Sequence, residues 1–435
     1  MKRTIRVGLL GCGVVGTGIL RLLRDNAETI EGRLGAKLEV VAIAARSAER
    51  ERDPIVPMER LVFDPFVVAE HPDVEIVLEV MGGVEQAGEV VRRALESGKH
   101  VITANKALIA ERGDVLIPLA EERGLDLYFE AAVAGGIPII RVLREALAAD
   151  RILSLRGILN GTSNYILTRM QRDGLAFDEA LRLAQEAGYA EADPTLDISG
   201  GDARHKLAIL ATLAFGARVD PADIPTQGIQ DVTSVDCRFA QRFGFVLRPL
   251  AIAKPTKDGA LSLRVHPALL PSSSVLAGVS GALNAVAIEG AMLGPAMITG
   301  LGAGALPTAM SVVSDLVDVG RNLLAGAHGR VPSRAFRGQP KARAVDQAGA
   351  LRSRYYLRFS VKDRPGVLAR IAGVLGAFEV SIEQMLQEGG DHETPAQIVI
   401  LTHLAREADV VSALSEVDRL SHVVAPTMLL RIEEA

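Results

Sequence analysis

Apolar and polar positions follow two rhythms along the chain. In the first third, near-continuous apolar runs at residues 4–10, 38–44, 74–80, 100–104 and 125–131 alternate with helical patterns at 16–25, 86–96 and 118–123. Runs that are apolar on both faces, separated by helices, predict parallel strands buried under helices on each side, a doubly wound α/β sheet. From about Ser154 the spacing lengthens. Runs at 152–159, 245–253 and 261–266 are separated by irregular stretches, which predicts a second α/β layer of mixed strand order. Residues 307–325 read as a helix that returns to the first domain. Residues 332–351, rich in charge, Pro, Gly and Ala, suit an exposed linker. Beyond it, strands at 355–361, 380–387, 397–403 and 423–431 and helices at 367–375 and 407–415 give a βαββαβ order, the ferredoxin-like pattern. The expected domains are therefore 1–134, 135–306 and 352–435.

Length agrees: 435 residues is about three times the ~150 of a single-domain prior. With 49% apolar and 23% charged residues the chain is globular in composition, which excludes disordered and collagen-like readings. A net charge of −5 gives no indication of a nucleic-acid or anionic-membrane surface. Cys12 and Cys237 cannot make a disulfide framework or a zinc site alone. No apolar run reaches the ~18 residues of a membrane span, and the chain runs at once into its first strand, so a soluble, cytoplasmic protein is expected.

Candidate chemistry begins at Gly11-Cys12-Gly13-Val14-Val15-Gly16, a G-x-G-x-x-G between strand and helix. Gly11 permits the tight turn, Gly13 lets backbone approach a pyrophosphate, and Gly16 lets helix pack on strand. The amides at Val14 and Val15 open a helix N-terminus that favours phosphate. These residues predict a dinucleotide site. At the end of the second strand, where an acid would hold a ribose 2′-hydroxyl, stands Arg46, which would attract a 2′-phosphate and favour NADP over NAD. Cys12 reads as a small buried filler.

The segment Gly188-Tyr189-Ala190-Glu191-Ala192-Asp193-Pro194 through Asp197, Asp202 and Lys206 gathers carboxylates and a lysine around a Pro/Gly loop leading into a helix over 203–215. Ser199 followed by Asp202 resembles a capping box. At 100° per residue Lys206 falls among Ile209, Leu210 and Leu213, in the middle of an apolar stripe, while Arg204 and His205 point away. A lysine there must snorkel, pair or do chemistry, and Asp202 at i−4 is the natural partner. A structural ion pair would satisfy that much. Glu191 and Asp197 beside it fit an amino-acid substrate whose ammonium needs carboxylates and whose reacting oxygen needs a proton donor.

This run resembles the signature of homoserine dehydrogenases, and the resemblance spans essentially the whole chain. It includes Thr103-Ala104-Asn105-Lys106-Ala107-Leu108, Asn160-Gly161-Thr162-Ser163-Asn164-Tyr165-Ile166 and a carboxy-terminal ACT domain. It implies a Rossmann-type nucleotide domain, an α/β substrate and dimerisation domain and an ACT domain. The implied reaction is NAD(P)-dependent interconversion of L-aspartate 4-semialdehyde and L-homoserine, toward threonine, methionine and isoleucine. By motif, Lys206 matches the proton donor, Asp202 its partner, Lys106 a second lysine between cofactor and substrate, and Glu191 and Asp197 the substrate-side acids. Thr103 and Gly302 match cofactor contacts. Glu130 with Val133, Gly135 and Ile137 matches a sodium site built from one carboxylate and backbone carbonyls.

In ACT domains the turn Asp363-Arg364-Pro365-Gly366 lies near effector sites, which implies threonine feedback. Association at least to a homodimer, and to a homotetramer if dimers pair, is expected. Two alternatives stay open at this point: a nucleotide- and amino-acid-sensing protein of the same folds without turnover, and a dehydrogenase of another hydroxy acid.

Overall fold

The computed structural model describes residues 3–47, 49, 51–346, 348–390 and 395–434; Gln347 of the expected linker and 391–394 of the carboxy-terminal region lie outside the described residues. The chain forms two compact units, one of Met1–Leu155, Arg204–Asp223 and Asn284–Arg343, the other of Arg156–Ala203, Ile224–Leu283 and Ala344–Ala435.

The first unit is built on six parallel strands: β1 (Thr4–Leu10), β2 (Lys37–Ala44), β3 (Leu61–Val62), β4 (Ile76–Glu79), β5 (His100–Thr103) and β6 (Leu127–Tyr128). Their order is β3-β2-β1-β4-β5-β6. The order reverses between β1 and β4, and ligands of such sheets bind outside the carboxyl ends of the strands at that point. Four helices matter for the site: α1 (Val14–Asp25), α2 (Lys106–Glu122), α3 (Gly201–Phe215) and α4 (Ala305–Ala325). Ile5, Val7, Leu9, Ile76 and Leu78 form a core with Ala309, Val312, Leu316 and Val319 of α4. α4 also lies tight on α1, since a Cβ at Gly18 would sit 2.8 Å from the Ala305 carbonyl oxygen.

The second unit pairs Phe245–Pro255 antiparallel with Leu261–Pro271, which continues into Met428–Ile432, Arg352–Val361, Ala396–Thr402 and Ile382–Glu388. The last four strands take the fourth-first-third-second order of a ferredoxin-like sheet. One face packs Tyr355, Leu357 and Phe359 on Ile371, Leu375, Val410 and Leu414 of its two helices. The other face puts Tyr356, Val399 and Leu430 into a core with Phe239, Leu247 and Leu269.

Three local expectations are corrected. The helix expected at 118–123 is the last third of α2, which runs through Pro118; buried Leu116, Ile117 and Ala120 hold the helix where proline removes one hydrogen bond. Ser199 is not the cap of α3. Gly200, at φ +84°, intervenes, and the Ser199 hydroxyl accepts the Gly201 N–H at 3.4 Å while Asp202 turns elsewhere. The segment 332–351 is not simply exposed: Ser333 and Arg334 are buried, and Lys341–Ala342 pairs with Ala217–Arg218. Among the described residues no helix is long and apolar enough to cross a membrane.

Candidate active site

The dinucleotide turn leaves β1 and opens α1. Gly11 has φ +108°, and a Cβ there would lie 2.7 Å from the Val80 carbonyl oxygen; one at Gly16 would lie 2.1 Å from the Gly11 carbonyl oxygen. A Cβ at Gly13, the N-cap of α1, would meet no atom within 4 Å among the described residues, and no side chain caps the helix. The open helix end faces a cleft of about 430 Å³ lined by Gly11, Gly13, Arg46, Arg52, Met81 and Gly82, among others. Val14 is exposed and Val15 half-buried beside it, and Arg46 is exposed at the end of β2.

Sequence reasoning passed over Arg52. Its guanidinium donates to the Cys12 carbonyl at 3.2 Å and to the Ser47 carbonyl, spanning the cleft from the glycine turn to the end of β2. The thiol of Cys12 is buried, and that burial pushes its pKa up, in keeping with a filler.

A second omission is Glu79, fully buried at the end of β4. Its carboxylate accepts the amides of Met81 at 2.7 Å and Gly82 at 3.3 Å and the hydroxyl of Thr103. The Thr103 oxygen accepts the Asn105 N–H at 2.9 Å. Asn105 in turn caps α2 by accepting the Leu108 N–H at 3.1 Å, and its amide donates to the Gly83 carbonyl. One chain of hydrogen bonds thus fixes the glycine loop after β4 and the first turn of α2, whose first residue is Lys106. An acid inside the apolar run 74–80 was the available signal. Burial raises the Glu79 pKa, against the hydrogen bonds that lower it.

Lys206 is buried, but not on a stripe: residues 207–211 of α3 are all buried and Arg204 and His205 half-buried, so the helix is enclosed on every side past its first turn. Asp202 is buried one turn earlier. In the second unit the Asn160 amide donates to Asp197 Oδ1 at 2.7 Å and to Asp202 Oδ2 at 2.8 Å, using both its N–H groups. Its oxygen accepts the Ser163 N–H at 2.7 Å and so caps helix Gly161–Asp173. Thr162 donates to the Tyr189 carbonyl at 2.6 Å, Ser163 to the Asp197 carbonyl at 2.9 Å, and the rings of Tyr165 and Tyr189 lie 4.9 Å apart. The acid-rich loop is therefore knitted to the start of that helix. Glu191 is exposed in this loop, its carbonyl accepting from the Gln185 amide at 3.2 Å.

In the cation candidate, Glu130 is buried and its carboxylate accepts the amides of Ile140 at 2.9 Å and Arg141 at 2.8 Å, while its own N–H donates to Asp315 at 2.8 Å. Burial first, then Asp315, pushes the Glu130 carboxyl up to about 8; burial pushes Asp315 up to about 6. Two buried acids in adjoining positions disfavour ionisation, here Asp315 raising the Glu130 pKa, and a cation between them would offset that charge. The Gly135 carbonyl accepts the Ser311 hydroxyl, and a Cβ at Gly135 would lie 2.7 Å from the Gly302 carbonyl oxygen. Val133 and Ile137 are buried in the same loop. Each oxygen already engaged keeps a second lone pair, so the set fits a weakly held monovalent ion.

Comparison with known proteins follows the same division. Residues 138–317 match the family model described as homoserine dehydrogenase, 11–130 that described as homoserine dehydrogenase, NAD binding domain, and 355–422 the ACT domain. A homoserine dehydrogenase of Neisseria gonorrhoeae is 45% identical over 432 residues, 99% of each chain, and one of Pseudomonas aeruginosa is 42% identical over 437, again 99% of each. The crystal structure of a homoserine dehydrogenase from Thiobacillus denitrificans superposes with TM-score 0.93 at 44% identity over 100% of both chains. A hyperthermophilic archaeal homoserine dehydrogenase in complex with NADPH superposes with TM-score 0.60 at 28% identity, over 73% of this chain and 97% of that one.

Proposed function

The chain belongs to the homoserine dehydrogenase family, and from that premise we propose how its own residues interconvert L-aspartate 4-semialdehyde and L-homoserine. The bound nicotinamide dinucleotide supplies or accepts the hydride. Gly11, Gly13 and Gly16 shape the turn, and the amides of Val14 and Val15 at the open end of α1 receive the pyrophosphate. Thr103, Lys106 and Gly302 complete the contacts. Arg46 and Arg52 hold a 2′-phosphate, which makes NADP the preferred nucleotide.

Lys206 donates a proton to the aldehyde oxygen as negative charge builds there, and takes it back in the reverse direction. Asp202 orients the lysine, and Asn160 orients Asp202. Glu191 and Asp197 receive the substrate ammonium. Lys106, fixed at the start of α2 by the chain from Glu79, supplies a second positive charge beside the reacting oxygen. The observation that carries this reading is the Asn160 amide, which joins two acids of the loop and sets one of them a single helical turn from a buried lysine.

Glu130 and the carbonyls of Val133, Gly135 and Ile137 hold a structural sodium ion. Threonine acts at the turn 363–366, and the working assembly is a homodimer or homotetramer.

The test is absorbance at 340 nm with homoserine and each nucleotide, for the native chain and for Lys206→Ala. A fall in kcat of roughly 10²-fold or more is expected, the scale of a general acid, with nucleotide affinity unchanged. Native turnover in the variant would remove the role.

A further inference from the structure

A cavity of about 270 Å³ lies within the first unit, between α2 and α3, and neither Lys106 nor Lys206 lines it. Its walls are apolar: Ile109 and Ile117 from α2, Ile209 and Leu213 from α3, and Val219 beyond it. At one side stands Arg334, 5% exposed. Among the described residues its Nε and Nη2 make no hydrogen bond, and its ion-pair contact with Glu121 is long, at 3.9 Å. A buried guanidinium with open N–H groups is costly to fold and is relieved by an acceptor brought from outside. Arginine's planar fork matches a carboxylate.

Three carboxylates, Glu111, Asp114 and Asp220, and the exposed Arg218 also line it. Asp114 is paired with Arg218 at 2.7 Å, Asp220 receives the Ala222 N–H at 2.8 Å, and Glu111 lies 3.6 Å from His205. One buried cation, three carboxylates and aliphatic walls do not suit a simple anion or a neutral hydrocarbon. They suit a zwitterion with an apolar tail.

We propose that this cavity binds an aliphatic α-amino acid, its carboxylate on Arg334, its ammonium toward Glu111, Asp114 and Asp220, and its side chain between α2 and α3. None of its lining residues lines the cleft of the dinucleotide.

The experiment is thermal unfolding of the full chain with 10 mM L-leucine, 3-methylbutylamine or 4-methylpentanoate. Leucine is expected to raise Tm by at least about 2 °C, the amine not at all, and the acid by less than leucine. Two variants test the place. Arg334→Met removes the guanidinium at similar length. Gly113→Leu fills the cavity, and among the described residues its Cβ would meet only Ile109 and Ile117, at an ordinary 3.6 Å on a helix that tolerates it. Both variants should unfold cooperatively, keep homoserine turnover and lose the leucine shift. No shift in the native chain with any of the three compounds, or a leucine shift that survives in both variants, would overturn the proposal.

Discussion

Asn160 makes a sharp test, because one side chain performs two separable jobs. Its oxygen caps helix Gly161–Asp173, and its amide bridges Asp197 and Asp202. Asn160→Ala removes the cap, about 1 kcal/mol. It also strips an N–H donor from each of two carboxylates, one of them buried, at roughly 1–3 kcal/mol apiece. The sum, roughly 3–7 kcal/mol, is a large share of the ~5–15 kcal/mol that holds a typical fold.

Asn160→Ser separates the jobs. Serine caps a helix as well as asparagine does, but its single, shorter donor cannot reach both acids. The Ser variant should therefore recover the ~1 kcal/mol of the cap in urea unfolding, yet retain the loss in catalysis. With Asp202 released, Lys206 loses its orienting partner, and kcat/KM should fall at least about 10-fold. Asn160→Asp should do worse at pH 8 than at pH 6, since it sets three carboxylates together. A Ser variant with native unfolding midpoint and native kcat/KM would refute the bridge as an organising element.

Three further outcomes follow. Replacing Arg46 and Arg52 together by Ala should raise KM for NADP at least about 10-fold and leave KM for NAD within about 3-fold, with the salt dependence of NADP binding reduced; equal effects on both nucleotides would contradict the 2′-phosphate assignment. Gly16→Ala should abolish nucleotide binding in a fluorescence titration and lower Tm, because its methyl would sit 2.1 Å from a backbone oxygen that cannot move away. The Glu130–Asp315 pair sets a pH dependence. Burial and then Asp315 hold the folded Glu130 carboxyl well above its ordinary value, so above that ordinary value the unfolded chain has released a proton that the folded chain keeps. Stability then falls as pH rises from that ordinary value toward the raised one. Urea unfolding at pH 5.5 and 8.5 should show this fall. Glu130→Gln should flatten it, and sodium chloride should offset it at pH 8.5 better than choline chloride; equal slopes in the native chain and the variant would contradict the assignment.

What the sequence disclosed depended on how local the cause was. The glycine turn was legible because its three glycines recur at a fixed spacing between one strand and one helix, although the contact that constrains Gly11 comes from Val80, just beyond β4, and the apolar runs placed β1 at its true bounds, 4–10. The ferredoxin-like order was legible for the same reason: each strand and helix carries its own pattern. Asn160 could be noticed as a polar residue after a strand, but its role arises from partners 37 and 42 positions away. Glu79 is likewise defined by Thr103, 24 residues on. Pro118 misled because proline is a strong local breaker, and only the buried faces of α2 show why the helix continues. The capping box at Ser199 failed by one residue, when Gly200 took the left-handed conformation and moved the helix start. Arg334 was read as part of a solvated linker, and its burial comes from packing that no periodicity records.

The claim on which the mechanism turns is that the amine of Lys206 delivers the proton. Turnover of semialdehyde by Lys206→Ala, measured at 340 nm with and without ethylammonium, addresses it most directly. The predicted result is a loss of roughly 10²-fold or more that added ethylammonium partly restores in proportion to its concentration. Native turnover in the variant without any amine would contradict it.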